Sequence, residues 1–243
     1  MASRSLLLVA FTFAAAVRCA LGQGVFVTPV PNVPFIGTVQ VERQFLQNQP
    51  NGAPITLQST RSIARDNLGR IYNEFRPLQS ASGPAQKPLP VMRVHLYDPR
   101  TRMYSFLYPQ RRTFWVGAVN RPPATETRDP FASPTGRALP QSQFASEEDL
   151  GVRTIAGTQV RGVRETQTIP AAASGTGKDV LVTDEYWYSD ELHINMETRH
   201  RDPRTGSSVM KVTEVSRQDP DPALFEVPAD YKPIESPSAG DRY

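Results

Sequence analysis

The stretch Leu192-His193-Ile194-Asn195-Met196-Glu197-Thr198 alternates apolar and polar residues without a break. Successive side chains of a β-strand point to opposite faces. The spacing therefore predicts a dry face of Leu192, Ile194 and Met196 and a wet face of His193, Asn195 and Glu197. The same period of two, rather than 3.6, runs through IGTVQVERQFL, ITLQSTRSIARD, GRIYNEFRPL, PVMRVHLYD, RMYSFLYP and RRTFWV. It resumes in VRTIAG, QVRGVRETQTIP, DVLVTDEYWYS and SSVMKVTEVSRQ. A sheet with one wet face needs a cover for the other. The expected class is all-β with minor helix: a curved antiparallel sheet forming a half-barrel or open barrel.

The chain carries 23 prolines, and their placement sets the boundaries. Residues 117–146 hold prolines at 122, 123, 130, 134 and 140, which forbid a central strand or helix there. This segment is expected as a long Pro-rich loop within a single domain spanning 23–235, with 236–243 as a loose tail. Ser146-Glu147-Glu148-Asp149 reads as a cap for one short helical turn. DPDPALFEVPADYKP predicts a helical turn and a short closing strand near the C-terminus. The tetrapeptide DPRT occurs at Asp98–Thr101 and again at Asp202–Thr205, each time between two strand-like runs. Asp favours the first position of a type I turn, and proline presets φ at the next. DPRT is expected to be a corner, not a site.

The N-terminus reads MASRSLLLVAFTFAAAVRCALGQG. A basic start, an apolar run from Leu6 to Val17 and the small residues ending in Ala20-Leu21-Gly22 follow the order of a secretory signal. Residues 1–22 are expected to be removed near Gly22-Gln23. That places the mature protein in the periplasm or outside the cell. Twelve residues are too few for a helix to span a bilayer, which takes about 20, and no later segment offers a transmembrane anchor. Cys19 lacks the residues of a bacterial lipid-attachment box, having Arg18 before it and Ala16 three before it. Cleavage leaves a cysteine-free chain that relies on its core rather than on disulfides. Removing Arg4 and Arg18 from 27 basic residues leaves 25 against 24 acidic ones, so charge offers no argument for nucleic acid.

Few constellations suggest chemistry. SGTGKD (Ser174–Asp179) lacks the first glycine and the Ser/Thr of a phosphate loop, and it joins two strands. His95, His193 and His200 lack metal-site spacing and read as histidines of wet strand faces. Asp184, Glu185, Asp190 and Glu191 surround YWYS, which offers a carbohydrate-active hydrolase using Asp184 or Glu185 as an outside reading. No catalytic, cofactor-binding or metal-ligating residue is expected, and no cofactor. The aromatics stand out instead. Tyr104, Phe106 and Tyr108 share one strand parity, Trp115 follows closely, and Trp187 sits in a later cluster. They are read as cross-strand core packing or as an apolar wall for a ligand or a partner.

From Leu150 to Tyr231 the chain resembles a recurrent pattern in uncharacterised exported bacterial proteins. The marks are the T-x-T-I-P strand end, W-Y-S-x-E-L, the D-P-R-x-G turn and the closing D-P-x-L-F-x-V-P-x-D-Y. More distantly, the opening I-A-G and the closing LF-x-VP-x-DY resemble the half-barrel of periplasmic lipoprotein carriers and related envelope-stress sensors. The resemblance implies a curved antiparallel sheet whose concave side is plugged by helices. No long helix is legible here, and the Pro-rich loop is the candidate cover. The expected function is non-catalytic binding of an apolar small molecule or an envelope protein partner. The alternative is a structural or assembly subunit of an envelope complex.

Overall fold

The computed structural model describes residues 27–46, 52–82, 87–119 and 143–235. The expected signal at 1–22, most of the Pro-rich loop and the tail at 236–243 lie outside the described residues. Strands make up 58% of the structure and form a single open, curved sheet that does not close. In chain order they are β1 (Phe35–Phe45), β2 (Ile55–Arg65), β3 (Ile71–Phe75), β4 (Gln79–Ser80), β5 (Arg93–Asp98), β6 (Met103–Tyr108) and β7 (Thr113–Ala118). After the loop come β8 (Ala145–Ile155), β9 (Thr158–Ile169), β10 (Val180–Ser189), β11 (Ile194–Asp202), β12 (Gly206–Ser216) and β13 (Lys232–Pro233). A four-residue helix, α1 (Ala171–Ser174), and a 3-10 turn (Pro222–Phe225) complete the described elements.

The spatial order is β13-β7-β6-β5-β3-β2-β1-β12-β11-β10-β9-β8, with β4 on β2. Antiparallel neighbours account for every pairing except β13 on β7, which is parallel. Two antiparallel runs, β2 to β7 and β8 to β12, are thus sewn together by β1. Among the described strands a proline occurs only in β13, two residues long at the sheet's end, where a missing ladder donor costs least.

Both DPRT segments are hairpin corners. The Asp98 carboxylate accepts from the Arg100 N–H at 2.8 Å, and Asp202 accepts from the Arg204 N–H at 2.9 Å. SGTGKD closes the β9–β10 hairpin through α1, as its sequence predicts. The Ser146–Asp149 segment differs from expectation. It lies within β8, not in a helical turn, because its backbone pairs with β9 over the length of the strand. Glu148 meets Arg164 of β9 at 2.8 Å. Its acids sit on the sheet's end strand, where exposed charge is tolerated and discourages pairing with another chain. At the other end of the Pro-rich loop, β7 runs through Gly117 and Ala118.

Register defines two faces. On the front lie Phe35, Val39 and Val41 of β1, Ile63 of β2, and Met210 and Val212 of β12. These join Ile71, Ile194 and Met196 in the main core. On the back, Val94, Leu96 and Leu107 form a second cluster against Tyr72, Phe114, Val227 and Tyr231. The closing segment after the 3-10 turn covers that back cluster. It is anchored where the Lys232 N–H donates to the Arg112 carbonyl and the Ile234 N–H to the Phe114 carbonyl, both at 2.9 Å.

One buried cation ties the halves together. Arg65 is 0% exposed and donates to the carbonyls of Val33 (2.8 Å), Thr28 (2.7 Å) and Leu192 (2.7 Å). Its guanidinium also lies 5.0 Å from the centre of the Phe35 ring. Burial lowers its pKa to about 10. A buried charge persists when its hydrogen-bonding groups are satisfied, and here three carbonyls from two distant segments do so.

The alternation of Leu192–Thr198 holds only in part. Leu192, Ile194 and Met196 are fully buried, as predicted, but Glu197 and Thr198 are buried as well. His193 adopts φ 52° ahead of the strand, and the β10–β11 register shifts between Trp187 and Tyr188. Glu197, expected on the wet face, is compensated there by Arg153, Arg199 and Lys211.

Candidate functional site

The β2-β3-β5-β6-β7 register aligns one row across the front face: Ile63, Asn73, His95, Phe106 and Trp115. Tyr104 stands in the adjacent row, opposite Gly117. Alternation alone therefore brings four rings together. His95 and Phe106 have centroids 5.0 Å apart, and Tyr104 meets Phe106 at 5.6 Å and Trp115 at 5.4 Å, edge to face. Phe106 and Trp115 lie nearly parallel, at 8° and 6.0 Å. Such pairs are attractive beyond the area they bury. Glycine is required at position 117, since a Cβ there would come within 2.6 Å of the Tyr104 ring and 2.9 Å of Trp115.

All four rings of this wall are half-buried, so each keeps a face or an edge in solvent. His95, expected on a wet strand face, lies in the aromatic row instead. Burial first, and then the positive charge of Arg93, pushes its pKa down to about 4. It is neutral across the physiological range and behaves as another aromatic ring. Arg93 lies 5.0 Å from the Phe106 centroid and 5.5 Å from that of Phe75, placing a cation along the wall.

Of the aromatics singled out from the sequence, the structure brings Tyr104, Phe106 and Trp115 into one wall. Tyr108 is on the same strand but is 4% exposed, buried where the other three are half-open. Trp187 is elsewhere. It pairs with Glu197, is 8% exposed and belongs to the main core, away from the other aromatics. Arg153 covers its ring at 3.6 Å, and a Cβ at Gly162 would strike it at 2.6 Å.

Further along the same front face lies a shallow depression of about 180 Å³ between β1, β11 and β12. It is lined by Arg43, Phe45, His200, Ser208 and Met210 among others. His200 Nδ1 and the Asp184 carboxylate are 2.8 Å apart. That hydrogen bond raises the His200 pKa, against a smaller opposing effect of burial. Arg61 reaches the rim of the depression, its Nη2 3.7 Å from the Met210 sulfur. Its Nε is sealed from solvent without an acceptor among the described residues. Neither Arg61 nor Arg43 forms an ion pair among the described residues. Burial, and then Arg43, holds the Arg61 pKa below its ordinary value.

The acids considered for hydrolysis are otherwise engaged. Asp184 and Glu185 are strand neighbours and point to opposite faces, Asp184 to His200 and Glu185 to Arg164 at 2.8 Å. They cannot flank one glycosidic bond. Among the described residues no group of three His, Cys, Asp or Glu is placed to hold a metal.

Sequence reasoning missed His95 as a ring of the wall, and it missed Arg61 and Arg43. The parity of His95 with Tyr97 is visible in the sequence, but its contact with Phe106 depends on register. Arg61 carries no sequence signal, because its burial depends on β1 and β12, one of them some 150 positions away in the chain.

No protein-family model matches the chain, and no curated protein sequence matches it. Solved structures do. The chain is similar to an uncharacterized conserved protein from Thermus thermophilus, with a TM-score of 0.43 and 9% identity over 84% of this chain and 90% of that one. It is similar to a chain of the MucA/MucB complex from Pseudomonas aeruginosa, with a TM-score of 0.39 and 14% identity, covering 83% of this chain but only 58% of that one. A LolA superfamily protein from Nitrosomonas europaea matches with a TM-score of 0.31 and 10% identity over 81% and 91% of the two chains. These are remote likenesses of fold and carry nothing about activity.

Proposed function

We propose that this chain is a non-catalytic binding protein of the cell envelope or cell exterior that takes an apolar ligand on the front-face wall of Tyr104, Phe106, Trp115 and His95. One observation carries the reading. Four rings are packed against one another on a single sheet face, yet all stay half-exposed instead of being sealed in the core. Apolar side chains that served only to stabilise the sheet would gain most by complete burial, as the aliphatic Val94, Leu96 and Leu107 do on the back. A preassembled, half-open aromatic surface loses little side-chain entropy when something covers it. The neutral state of His95 leaves the wall with no charge from the imidazole, so that the Arg93 guanidinium over Phe106 is the cation beside it. The N-terminal export pattern supplies the compartment.

Native mass spectrometry of the protein purified from its own envelope or medium, followed by denaturing extraction, tests this. The expected result is a co-purifying apolar small molecule, lost in the Phe106→Ala and Trp115→Ala variants. A ligand-free protein carrying a stoichiometric protein partner would overturn the reading in favour of an assembly role.

A further inference from the structure

Beside the aromatic wall stands a cation with no counter-charge among the described residues. On β2 the row residue Ile63 is followed, on the same face, by Arg61. Arg61 passes toward β12 and ends at a thioether, the weakest acceptor a side chain offers. A half-buried guanidinium group whose Nε is sealed without an acceptor among the described residues costs free energy, more so with Arg43 beside it. The surrounding surface supplies further donors: Arg43, Gln44, His200, Ser207 and Ser208 line the same depression. The acids of this face do not relieve the charge. Asp184 is bonded to His200, Asp202 is bonded to Arg204, and Glu165 and Glu147 lie on β9 and β8, toward the far end of the sheet. Arg61 reaches across β1 toward β12, so about four strand spacings, about 19 Å along the sheet, separate its guanidinium from Phe106 on β6, a span for one molecule with a polar head and an extended apolar body.

From this juxtaposition we infer that the ligand of the front face is an anionic amphiphile: a carboxylate or phosphate head received by Arg61 and Arg43, and an apolar chain laid along His95, Phe106 and Trp115. The inference rests on the proposed binding role of the wall and adds the ligand's chemical class. The guanidinium planes supply paired N–H donors to a head of matching geometry, and Arg61 gains a counter-charge.

The test is calorimetric titration of the full mature chain with dodecanoate, dodecanol and inorganic phosphate. Wild-type protein, Arg61→Met, Arg43→Gln and Phe106→Ala are compared, each checked for folding by near-ultraviolet circular dichroism. Dodecanoate should bind about tenfold or more tightly than dodecanol. Arg61→Met should erase that preference, and Arg43→Gln should reduce it. Phe106→Ala should weaken both amphiphiles alike. Equal affinities in the wild type would overturn the anionic head and leave the wall intact as a binding surface. Absence of binding by either amphiphile would overturn both readings. A preference surviving in Arg61→Met would remove the head from this site. Phosphate binding as tight as dodecanoate, insensitive to Phe106→Ala, would replace the amphiphile with a free oxyanion.

Discussion

Arg61 and Arg65 stand four residues apart on one strand and one face, yet their surroundings are opposite. Arg65 is fully enclosed and places Nε and both Nη atoms on backbone carbonyls. Arg61 is half-buried and reaches only a methionine sulfur. The first is a buried charge whose cost is offset by hydrogen bonds that no other side chain could make in that place. The second is a cost left standing. Natural cores leave few such groups unpaired, and those that remain merit a reason beyond stability. The contrast separates the end of β2 that holds the fold together from the end proposed to face a ligand.

The largest expected effect follows from that separation. Arg65→Met keeps the volume but takes the guanidinium donors from the carbonyls of Val33 and Leu192 and leaves that of Thr28 with the Val30 N–H, and should cost about 3–5 kcal/mol in chemical denaturation. A loss below about 1 kcal/mol would break the comparison at its satisfied end. Glu197→Gln comes next. It neutralises a carboxylate 1% exposed among Arg153, Arg199 and Lys211, and should cost about 2–3 kcal/mol. Stability equal to wild type, read by thermal unfolding, would show that those cations hold it only loosely.

Arg61→Met should move the other way, leaving stability unchanged or raising it by about 1 kcal/mol, because it deletes an uncompensated charge and keeps the contact with Met210. A loss of about 2 kcal/mol in the same denaturation series would mark Arg61 as structural. The smallest effect concerns His200. Its folded pKa is raised by Asp184, so the pair's stabilisation is fully present below the ordinary value of 6.5 and is lost as pH rises through the raised value. For this partly exposed pair the change should be about 1 kcal/mol or less, and absent in Asp184→Asn. A pH dependence over that window that persists in the variant would assign it to another group.

What the sequence disclosed was local. Period-two alternation, the Asp-Pro corners and the closing turn of Pro222–Phe225 are each set within a few residues, and each stands in the structure where its pattern placed it. What it concealed depends on register between distant strands. Trp187 looks equivalent to Trp115 in the sequence, but the pairing of distant strands packs one into the main core and lays the other beside Phe106 in the front wall. Glu197 reads as a wet-face acid until a register shift buries it among three cations. Ser146–Asp149 has the composition of a helix cap, and pairing with β9 overrides it. Arg61 is one polar residue among several in ITLQSTRSIARD. Only the approach of Met210 from β12 shows it as a cation beside the wall.

The central claim is that ligand contact falls on the front wall and not on the other aromatic and apolar clusters. Intermolecular nuclear Overhauser effects between a bound dodecanoate chain and the isotope-labelled protein address it directly. The account predicts cross-peaks from the chain's methylene protons to the rings of Phe106, Trp115 and Tyr104, with the carboxylate end nearest Arg61. Cross-peaks confined to Trp187, or to Val94, Leu96 and Leu107 on the back, would contradict it.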